Sequence, residues 1–308
     1  MAAPRGKKKR QPKPPRTAAT PKPGGPISAQ EAAERFGPSL TPIPMRGNSR
    51  VLQNILGGAE GDALIELLIP FVWAGISEGV PSNICVDAAL TLQQAYAQFG
   101  IVSHLRAVDL VVEQADGRRR LYGSPAPGWS GPDNSVYNGH AVLVLPAHGR
   151  YVDVTVEQFK EVRRHGLGPL VGKAVASTVD ISPGVDFYTA GMQMAAQRGD
   201  TLLLYTVADD EYSDQLNAYA HAHPHPGGHH RTGVNLASIA LMALRNPGVI
   251  DRARKAPYPR LQALLDAVGD AEEVTIERDF YFLLPGPDGR PAPTAIDQIP
   301  LEIPVPGQ

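Results

Sequence analysis

The sequence predicts an α+β protein in which a helix packs against an antiparallel β-sheet. Residues 85–99 repeat apolar side chains at three- and four-residue steps, which is the period of a helix. Three later segments, 101–112, 141–145 and 151–156, are short runs rich in β-branched residues that are separated by turn signals. A long helix followed by consecutive strands with short connections is typical of the α+β class.

The composition supports a globular chain and excludes several other classes. Of the 308 residues, 43% are hydrophobic and 19% are charged, so a sizeable core can form. No Gly-x-y repeat and no persistent heptad is present, which excludes collagen and a coiled coil. The most apolar window, residues 63–76, is shorter than the roughly 20 residues of a membrane span, and Glu66 and Pro70 interrupt it. Cys85 is the single cysteine, which excludes an intramolecular disulfide and a multi-cysteine zinc site and favours a cytoplasmic location.

The charge is distributed unevenly along the chain. Residues 1–26 contain eight Lys or Arg residues and no Asp or Glu, whereas the rest of the chain has an excess of acidic residues. This composition predicts a disordered basic tail. The run Lys7-Lys8-Lys9-Arg10 is suited to contact nucleic acid or an acidic partner, and the alternative is a tail that only increases solubility.

The first elements of the folded part are predicted as helices. Ser28 and Glu31 have the spacing of a capping box, which predicts a short helix over 28–36. Residues 51–56 fit a short helix or a strand. The apolar segment 62–77 predicts a helix with a kink or break at Pro70.

Turn residues divide the central part of the chain. Gly100 should end the helix that begins at Cys85, because glycine favours the position after a helix. Asp116-Gly117 is a hairpin signal, and 119–122 should form the returning strand. Residues 123–137 read as a polar loop rich in Gly and Pro, and a turn is expected at His148-Gly149.

The last third alternates between the two element types. The sequence predicts helices over 185–198, 209–222, 235–245 and 258–268, and strands over 201–207 and 274–284. We therefore divide the chain into a basic tail, an α+β core, an α+β extension with additional helices and a loose Pro-rich tail, at 1–26, 27–180, 181–284 and 285–308.

Three residue types in the core suit covalent thiol chemistry. Cys85 is placed at the start of a helix, where unpaired backbone N–H groups stabilise a thiolate. His140 opens a predicted strand and Asp153 lies on the next one, so an antiparallel pair can bring them side by side. A nucleophile, a base and a residue that orients the base are what an activated thiol requires. The alternative is that Cys85 is a small buried hydrophobic residue.

These pieces resemble the transglutaminase-like branch of the papain-like cysteine protease superfamily over roughly residues 60–160. The matching segments are Asn83-Ile84-Cys85, Phe99-Gly100-Ile101, Gly139-His140-Ala141-Val142-Leu143-Val144 and Tyr151-Val152-Asp153-Val154-Thr155. The resemblance implies Cys85 as the nucleophile, His140 as the general base and acid and Asp153 as the orienting residue, with no cofactor. The family includes peptidases, deamidases and acyltransferases, so the expected substrate is a peptide, a protein or another amide. Val142 stands where many relatives carry Trp, which keeps a catalytically inactive interaction module of the same fold open as the alternative.

Further candidates for the site lie near these residues. Asn83 and Asn138 are candidate donors to an oxyanion, together with the backbone N–H of Cys85, although Asn83 also suits a helix cap. Trp129 and Tyr137 are candidates for lining a substrate cleft. Five histidines are weak candidates for a metal site because Pro and Gly between them predict a flexible loop: His221, His223, His225, His229 and His230.

Overall fold

The structure is a computed structural model that describes seven segments of the chain. These segments are 49–58, 63–77, 84–123, 128–130, 136–173, 188–222 and 228–306. The predicted basic tail, the predicted helix over 28–36 and Asn83 lie outside the described residues.

The described residues form a mixed α and β fold with an antiparallel main sheet, as predicted. The α-helices are α1 (Ser49–Gly57), α2 (Leu64–Ile76), α3 (Cys85–Gln98), α4 (Lys160–Arg163), α5 (Asp210–Ala222), α6 (His229–Leu244), α7 (Ile250–Ala253) and α8 (Pro259–Val268). The strands are β1 (His104–Gln114), β2 (Arg119–Tyr122), β3 (Gly128–Ser130), β4 (Val136–Asn138), β5 (His140–Leu145), β6 (Arg150–Asp153), β7 (Leu170–Lys173), β8 (Gln193–Arg198), β9 (Thr201–Val207), β10 (Glu273–Ile276), β11 (Asp279–Pro285) and β12 (Pro291–Thr294). None of the described helices is both long enough and apolar enough to cross a bilayer.

The main sheet joins strands from both sides of residue 180. Its order is β7-β6-β5-β1-β9-β8, and β2 pairs with β1 as a hairpin. All of these pairs are antiparallel. Because β9 pairs with β1 and β8 pairs with β9, residues 193–207 complete the main sheet, whereas β10, β11 and β12 form a separate three-stranded sheet.

The two faces of this sheet pack against different partners, because successive side chains of a strand point to opposite sides. On the helical face, Leu143 and Val152 join the core made with α2, α3 and α6. On the second face, Val142 and Tyr151 pack with residues of β9 and of the segment around Phe159. The buried apolar area on both faces is what fixes the register of the strands.

Helix α3 positions Cys85 relative to the sheet. The helix ends before Gly100, which has a φ of 81° as the predicted turn requires. The connection to β1 is short, and Gln93 Nε2 donates to the carbonyl of Ser103 across it at 2.8 Å. Helix α3 packs against β5 and β1, and Cys85 at its start lies near His140, which pairs opposite Val108 in the middle of β1.

Pro70 lies inside α2, and a tyrosine from α3 compensates for it. Proline has no N–H, so the carbonyl of Glu66, four residues earlier, loses its helical partner. The hydroxyl of Tyr96 donates to this carbonyl at 2.8 Å, and both residues are buried. The hydrogen bond explains how a proline is accommodated within a buried helix.

Three predictions of local structure are wrong. Residues 193–198 form the edge strand β8 and not a helix, because pairing with β9 outweighs the helical preference of Ala, Gln and Met. The predicted loop over 123–137 contains the small hairpin β3–β4. The predicted strand over 274–284 is a hairpin of β10 and β11, which turns at Glu277 and Arg278 with positive φ angles.

The end of the chain is packed and not loose as predicted. Strand β12 pairs with β11. Ile296 is completely buried and Ile299 nearly so, and both belong to the main core. The proline residues of this segment therefore shape an ordered extended path over the described residues up to 306.

Candidate active site

His140 lies at the point where β5 begins. It pairs opposite Val108 of β1, and its side chain is 1% exposed. Gly139, directly before it, has a φ of 148°, a conformation that glycine adopts far more readily than other residues. Because His140 is the first residue of the strand, its ring lies at the end of the strand, where residues from the helical face can reach it.

Asp153 is the last residue of β6 and lies beside His140 on the second face. The ring Nε2 of His140 donates to Asp153 Oδ2 at 2.7 Å. Neither side chain is more than 1% exposed, so the pair is shielded from solvent. Antiparallel strands joined by a short turn were predicted to allow this contact, and the structure contains it.

The Asp153 carboxylate accepts four hydrogen bonds. Oδ2 accepts from His140 and from the hydroxyl of Tyr205 at 2.9 Å. Oδ1 accepts from the backbone N–H of Thr155 at 3.0 Å and from its hydroxyl at 3.2 Å. A carboxylate has about four acceptor positions, so all of them are used. These four hydrogen bonds hold the carboxylate in one orientation.

The electrostatic surroundings favour a positively charged His140 ring. Burial alone lowers its pKa, but the charge and hydrogen bond of Asp153 and the contact with Cys85 outweigh burial and raise the pKa to about 10. Burial and the Asp153 charge raise the pKa of Tyr205 well above its usual value, so this phenol stays a hydrogen-bond donor.

Cys85 contacts the same ring from the start of α3. Its side chain is half-buried, and its thiol lies close enough to His140 to favour the charged form of the ring and raise its pKa. Since Nε2 is bound to Asp153, Nδ1 is the nitrogen left to exchange a proton with the sulfur. The site therefore brings together the three residues that the sequence predicted, in the order thiol, imidazole and carboxylate.

Gln158 and two aromatic rings complete the surroundings of His140. Gln158 Nε2 lies 3.3 Å from Nδ1 and also 3.3 Å from the hydroxyl of Thr155. Its N–H can donate to Nδ1 in the neutral ring. Phe159 meets the imidazole edge to face with ring centres 5.3 Å apart, and the Tyr205 ring lies 6.3 Å away. These contacts restrict the orientation of the ring and exclude water from it.

The other candidate residues that the structure describes near His140 lie in the β3–β4 hairpin. The side chain of Asn138 is exposed at the end of β4, two residues before His140. Trp129 and Tyr137 pair opposite each other in the β3–β4 hairpin, and the structure describes only their backbone. The hairpin therefore leads directly into β5, the strand that begins with His140.

The histidine-rich segment is not a metal site in the part of the chain that is described. His223 and His225 lie outside it, and His221 is described only by its backbone in α5. His229 and His230 begin α6, six residues before the predicted start of that helix. Both make ion pairs at 2.9 Å, with Asp87 and Asp297 respectively. No three His, Cys, Asp or Glu side chains of the described residues lie close enough to hold a metal ion.

Sequence reasoning did not assign roles to Tyr205, Thr155 or Gln158. Thr155 follows Asp153 by two residues, which is the spacing of a local turn closed by an aspartate, so its contact has a sequence signal. Tyr205 is 52 residues from Asp153 and approaches it only because β9 pairs with β1. No local pattern predicts such a contact.

Comparisons with protein-family models, with curated protein sequences and with solved structures give no significant match. The chemistry of the site therefore has to be argued from its own geometry.

Proposed function

We propose that the protein is a cysteine-dependent enzyme that acts on amide or acyl substrates, with Cys85 as the nucleophile. The observation that carries the proposal is the His140 ring, which hydrogen-bonds Asp153 and whose pKa is raised in part by the neighbouring Cys85 thiol. Nucleophile, base and orienting carboxylate in hydrogen-bonding contact are the general signature of covalent catalysis. The α+β arrangement is compatible with a transglutaminase-like, papain-like core, which is part of the same proposal.

The reaction follows from the charge state of the site. A positive ring beside the sulfur stabilises the thiolate of Cys85, which attacks the carbonyl carbon of the substrate. The tetrahedral intermediate collapses when Nδ1 of His140 gives its proton to the leaving nitrogen, and a thioester remains on Cys85. Gln158 can then donate to the neutral Nδ1, and Asp153 keeps the other proton on Nε2.

The second half of the reaction regenerates the thiol. Water or an amine attacks the thioester carbonyl and His140 accepts its proton, so that the carbonyl–sulfur bond breaks and the thiolate returns. Water makes the protein a peptidase or deamidase, and an amine makes it an acyltransferase. The backbone N–H of Cys85 is the candidate donor to the oxyanion, since it lies in the unpaired first turn of α3.

The test is the reactivity of the single thiol. Iodoacetamide should modify Cys85 at pH 6.5 about tenfold faster than it modifies free cysteine, because the proposed charged His140 ring favours negative charge on the neighbouring sulfur. His140→Ala should remove this advantage. His148→Ala is the matched control, since this histidine lies beyond the other end of β5 and the variant should react like the wild type. Mass spectrometry measures modification at one site without ambiguity, because the chain has one cysteine.

A second measurement identifies the reaction. Casein, incubated with the protein and a fluorescent primary amine, is followed for amine incorporation, ammonia release and new amino termini. Ammonia release without amine incorporation identifies a deamidase, new amino termini without amine incorporation identify a peptidase, and amine incorporation identifies an acyltransferase. Cys85→Ser should abolish each product. A thiol that reacts no faster than free cysteine, and equally in His140→Ala, would contradict the proposal and leave a non-catalytic interaction module as the better description.

A further inference from the structure

The helices cover only part of the helical face of the main sheet. Along β1, Leu105 and Ala107 point to this face and belong to the core made with the helices. Asp109 and Val111 point to the same face, because alternate residues of a strand do so. Both are half-buried, and Val111 packs against neither of the two large buried clusters of the described residues. We call this uncovered part of the sheet the open face, formed by the helix-side residues of 109–113, 119–121, 193–197 and 202–206.

A row of apolar side chains crosses the open face. Val111 pairs with Leu121 on one side and with Leu204 on the other. Leu204 in turn pairs with Ala195, so the row spans four strands. Residues that pair directly across antiparallel strands point to the same side, and their side chains are neighbours. Leu121 is 59% exposed, and Leu202 in the next row is 37% exposed. The water-facing side of an antiparallel sheet is usually polar, so this row indicates a surface that a partner covers.

The open face adjoins the candidate active site. Val108 of β1 pairs opposite His140. Asp109 follows on the open face, and Val111 lies two residues beyond it. At about 3.4 Å per residue, the apolar row lies about 10 Å along β1 from the level of His140. Cys85 packs on this same helical face, so an extended polypeptide of a few residues can contact the row and present an amide to the thiol.

The end of the open face nearest to His140 is acidic. Asp109 forms no hydrogen bond or ion pair with a described residue, and burial raises the pKa of its carboxyl group. The first turn of α5, which follows the end of β9 at this level of the sheet, adds Asp210 and Glu211. Arg106 lies 3.9 Å from Asp210, which is too long for a hydrogen bond. This end therefore favours a basic partner over an acidic one.

We propose that the open face binds an extended polypeptide segment, with an apolar side chain of the segment on the row of Val111, Leu121 and Leu204 and a basic side chain beside Asp109. The inference rests on the proposed function and names its substrate class, a basic polypeptide. Alternate residues of an extended segment lie about 6.8 Å apart, which matches the two-residue step from Asp109 to Val111. Burial of apolar surface supplies the affinity, and the acidic end selects the partner.

Two other occupants of the open face fit less well. The basic tail of this chain has the charge but not the apolar part, because residues 2–26 contain no Val, Leu, Ile, Met or aromatic residue. A second copy of the chain has the apolar face, but each copy would bring the same acidic end to the contact. A separate polypeptide can carry both features.

Fluorescence anisotropy with the full-length Cys85→Ser variant tests the proposal, because this variant binds without turnover. The probe is a fluorescein-labelled peptide with the symmetric core Leu-Thr-Lys-Thr-Leu, which suits either chain direction. It should bind saturably, and peptides with Glu for the Lys or Ser for both Leu should bind roughly tenfold more weakly. Adding Leu121→Ser or Asp109→Asn should each weaken binding roughly fivefold or more. The matched controls, Val102→Ser and Asp251→Asn, change an exposed apolar and an exposed acidic residue elsewhere and should have no effect.

Three results would overturn the proposal. The first is the absence of saturable peptide binding at millimolar concentration. The second is binding that neither Leu121→Ser nor Asp109→Asn weakens. The third is a wild-type dimer in sedimentation velocity that Leu121→Ser dissociates, which would make a second copy the occupant. Leu121 is exposed, so its replacement leaves the packing intact.

The alkylation test separates this proposal from the proposed function. Fast alkylation of Cys85 that depends on His140, without peptide binding, would overturn the docking proposal and leave the enzyme. Peptide binding that both open-face variants weaken, with slow alkylation, would support the docking surface and assign it to a non-catalytic interaction module.

Discussion

Replacing Asp153 by asparagine is the most informative perturbation of the candidate active site. The substitution keeps the size of the side chain but changes one acceptor oxygen into an NH₂ donor. All four groups that face this carboxylate are donors: the His140 ring, the Tyr205 hydroxyl, and the N–H and hydroxyl of Thr155. In either orientation of the amide one of the two facing groups is a hydroxyl, which can turn and accept, and the other is an N–H, of His140 or of Thr155, which then faces another donor.

The expected loss of stability follows from the number of hydrogen bonds. A hydrogen bond to a charged group contributes about 1.5–3 kcal/mol. The loss of one, together with the weaker hydrogen bonds that a neutral amide accepts, should lower the free energy of unfolding by at least about 1.5–3 kcal/mol. Tyr205→Phe removes one donor and leaves the His140–Asp153 contact, so it should lower the free energy of unfolding by about 1.5–3 kcal/mol. The two variants together separate the contribution of the carboxylate from that of a single neighbour.

The variant should also change how stability depends on pH. The pKa of His140 is raised from its ordinary value of 6.5 to about 10 in the folded protein. Its stabilising contribution is therefore complete below pH 6.5 and is lost as the pH rises towards 10. At 1.36 kcal/mol per pH unit this loss amounts to about 5 kcal/mol. In Asp153→Asn, burial still lowers the pKa of His140, but no carboxylate charge raises it. The decline in stability between pH 6.5 and about 10 should therefore disappear.

Urea denaturation between pH 6 and about 10 measures both effects on the same samples. The difference between wild type and Asp153→Asn removes the contribution of groups that titrate equally in both proteins. Alkylation of Cys85 at pH 6.5 should slow in the variant as well, because a neutral ring no longer stabilises the thiolate. A stability loss below about 1 kcal/mol, with alkylation at the wild-type rate, would refute the reasoning, since it would mean that Asp153 is not ionised and not coupled to the thiol.

Two further predictions concern the framework that supports the site. Tyr96→Phe should lower the free energy of unfolding by about 1–3 kcal/mol, because the Glu66 carbonyl loses its donor. In a Pro70→Ala background, the backbone N–H of residue 70 can donate to the same carbonyl, so Tyr96→Phe should cost less. Urea denaturation measures both losses, and equal losses in the two backgrounds would contradict the explanation. Gly123→Ala should be at least about 1 kcal/mol more destabilising than Gly117→Ala. Both glycines have positive φ, but only at Gly123 would a Cβ overlap a buried carboxylate oxygen, and equal denaturation midpoints would argue against that overlap.

The contact between His140 and Asp153 could be predicted because its elements are close in sequence. Two short strands separated by a tight turn can pair in few ways, and a period of two fixes which side chains share a face. The position of Cys85 at a helix start was equally accessible, since the apolar spacing of α3 and the glycine after it define the helix. What the sequence left open was the strand register that places the Asp153 carboxylate beside Nε2 of His140.

The rest of the site depends on pairings between distant segments. Tyr205 reaches Asp153 only because β9 pairs with β1, and the strand that pairs with β9, β8, was predicted as a helix. The amino acids of β8 prefer a helix in isolation, so the strand exists because β9 offers an unpaired edge. The helix or strand preference of a segment therefore predicts many elements, but it does not predict the distant strand whose pairing overrides that preference.

The Cys85 thiol and the His140 ring meet at the end of a strand, although they belong to opposite faces of the main sheet. Cys85 belongs to the helical face, whereas His140 lies on the second face with Phe159 and Tyr205. His140 is the first residue of β5, so no earlier residue of that strand separates the two faces of the sheet at this point. A histidine two residues further along β5, at the position of Val142, would be separated from the helical face by Ala141 and by the neighbouring strands. The placement of the histidine at the first position of its strand is thus what makes the contact with a half-buried thiol possible.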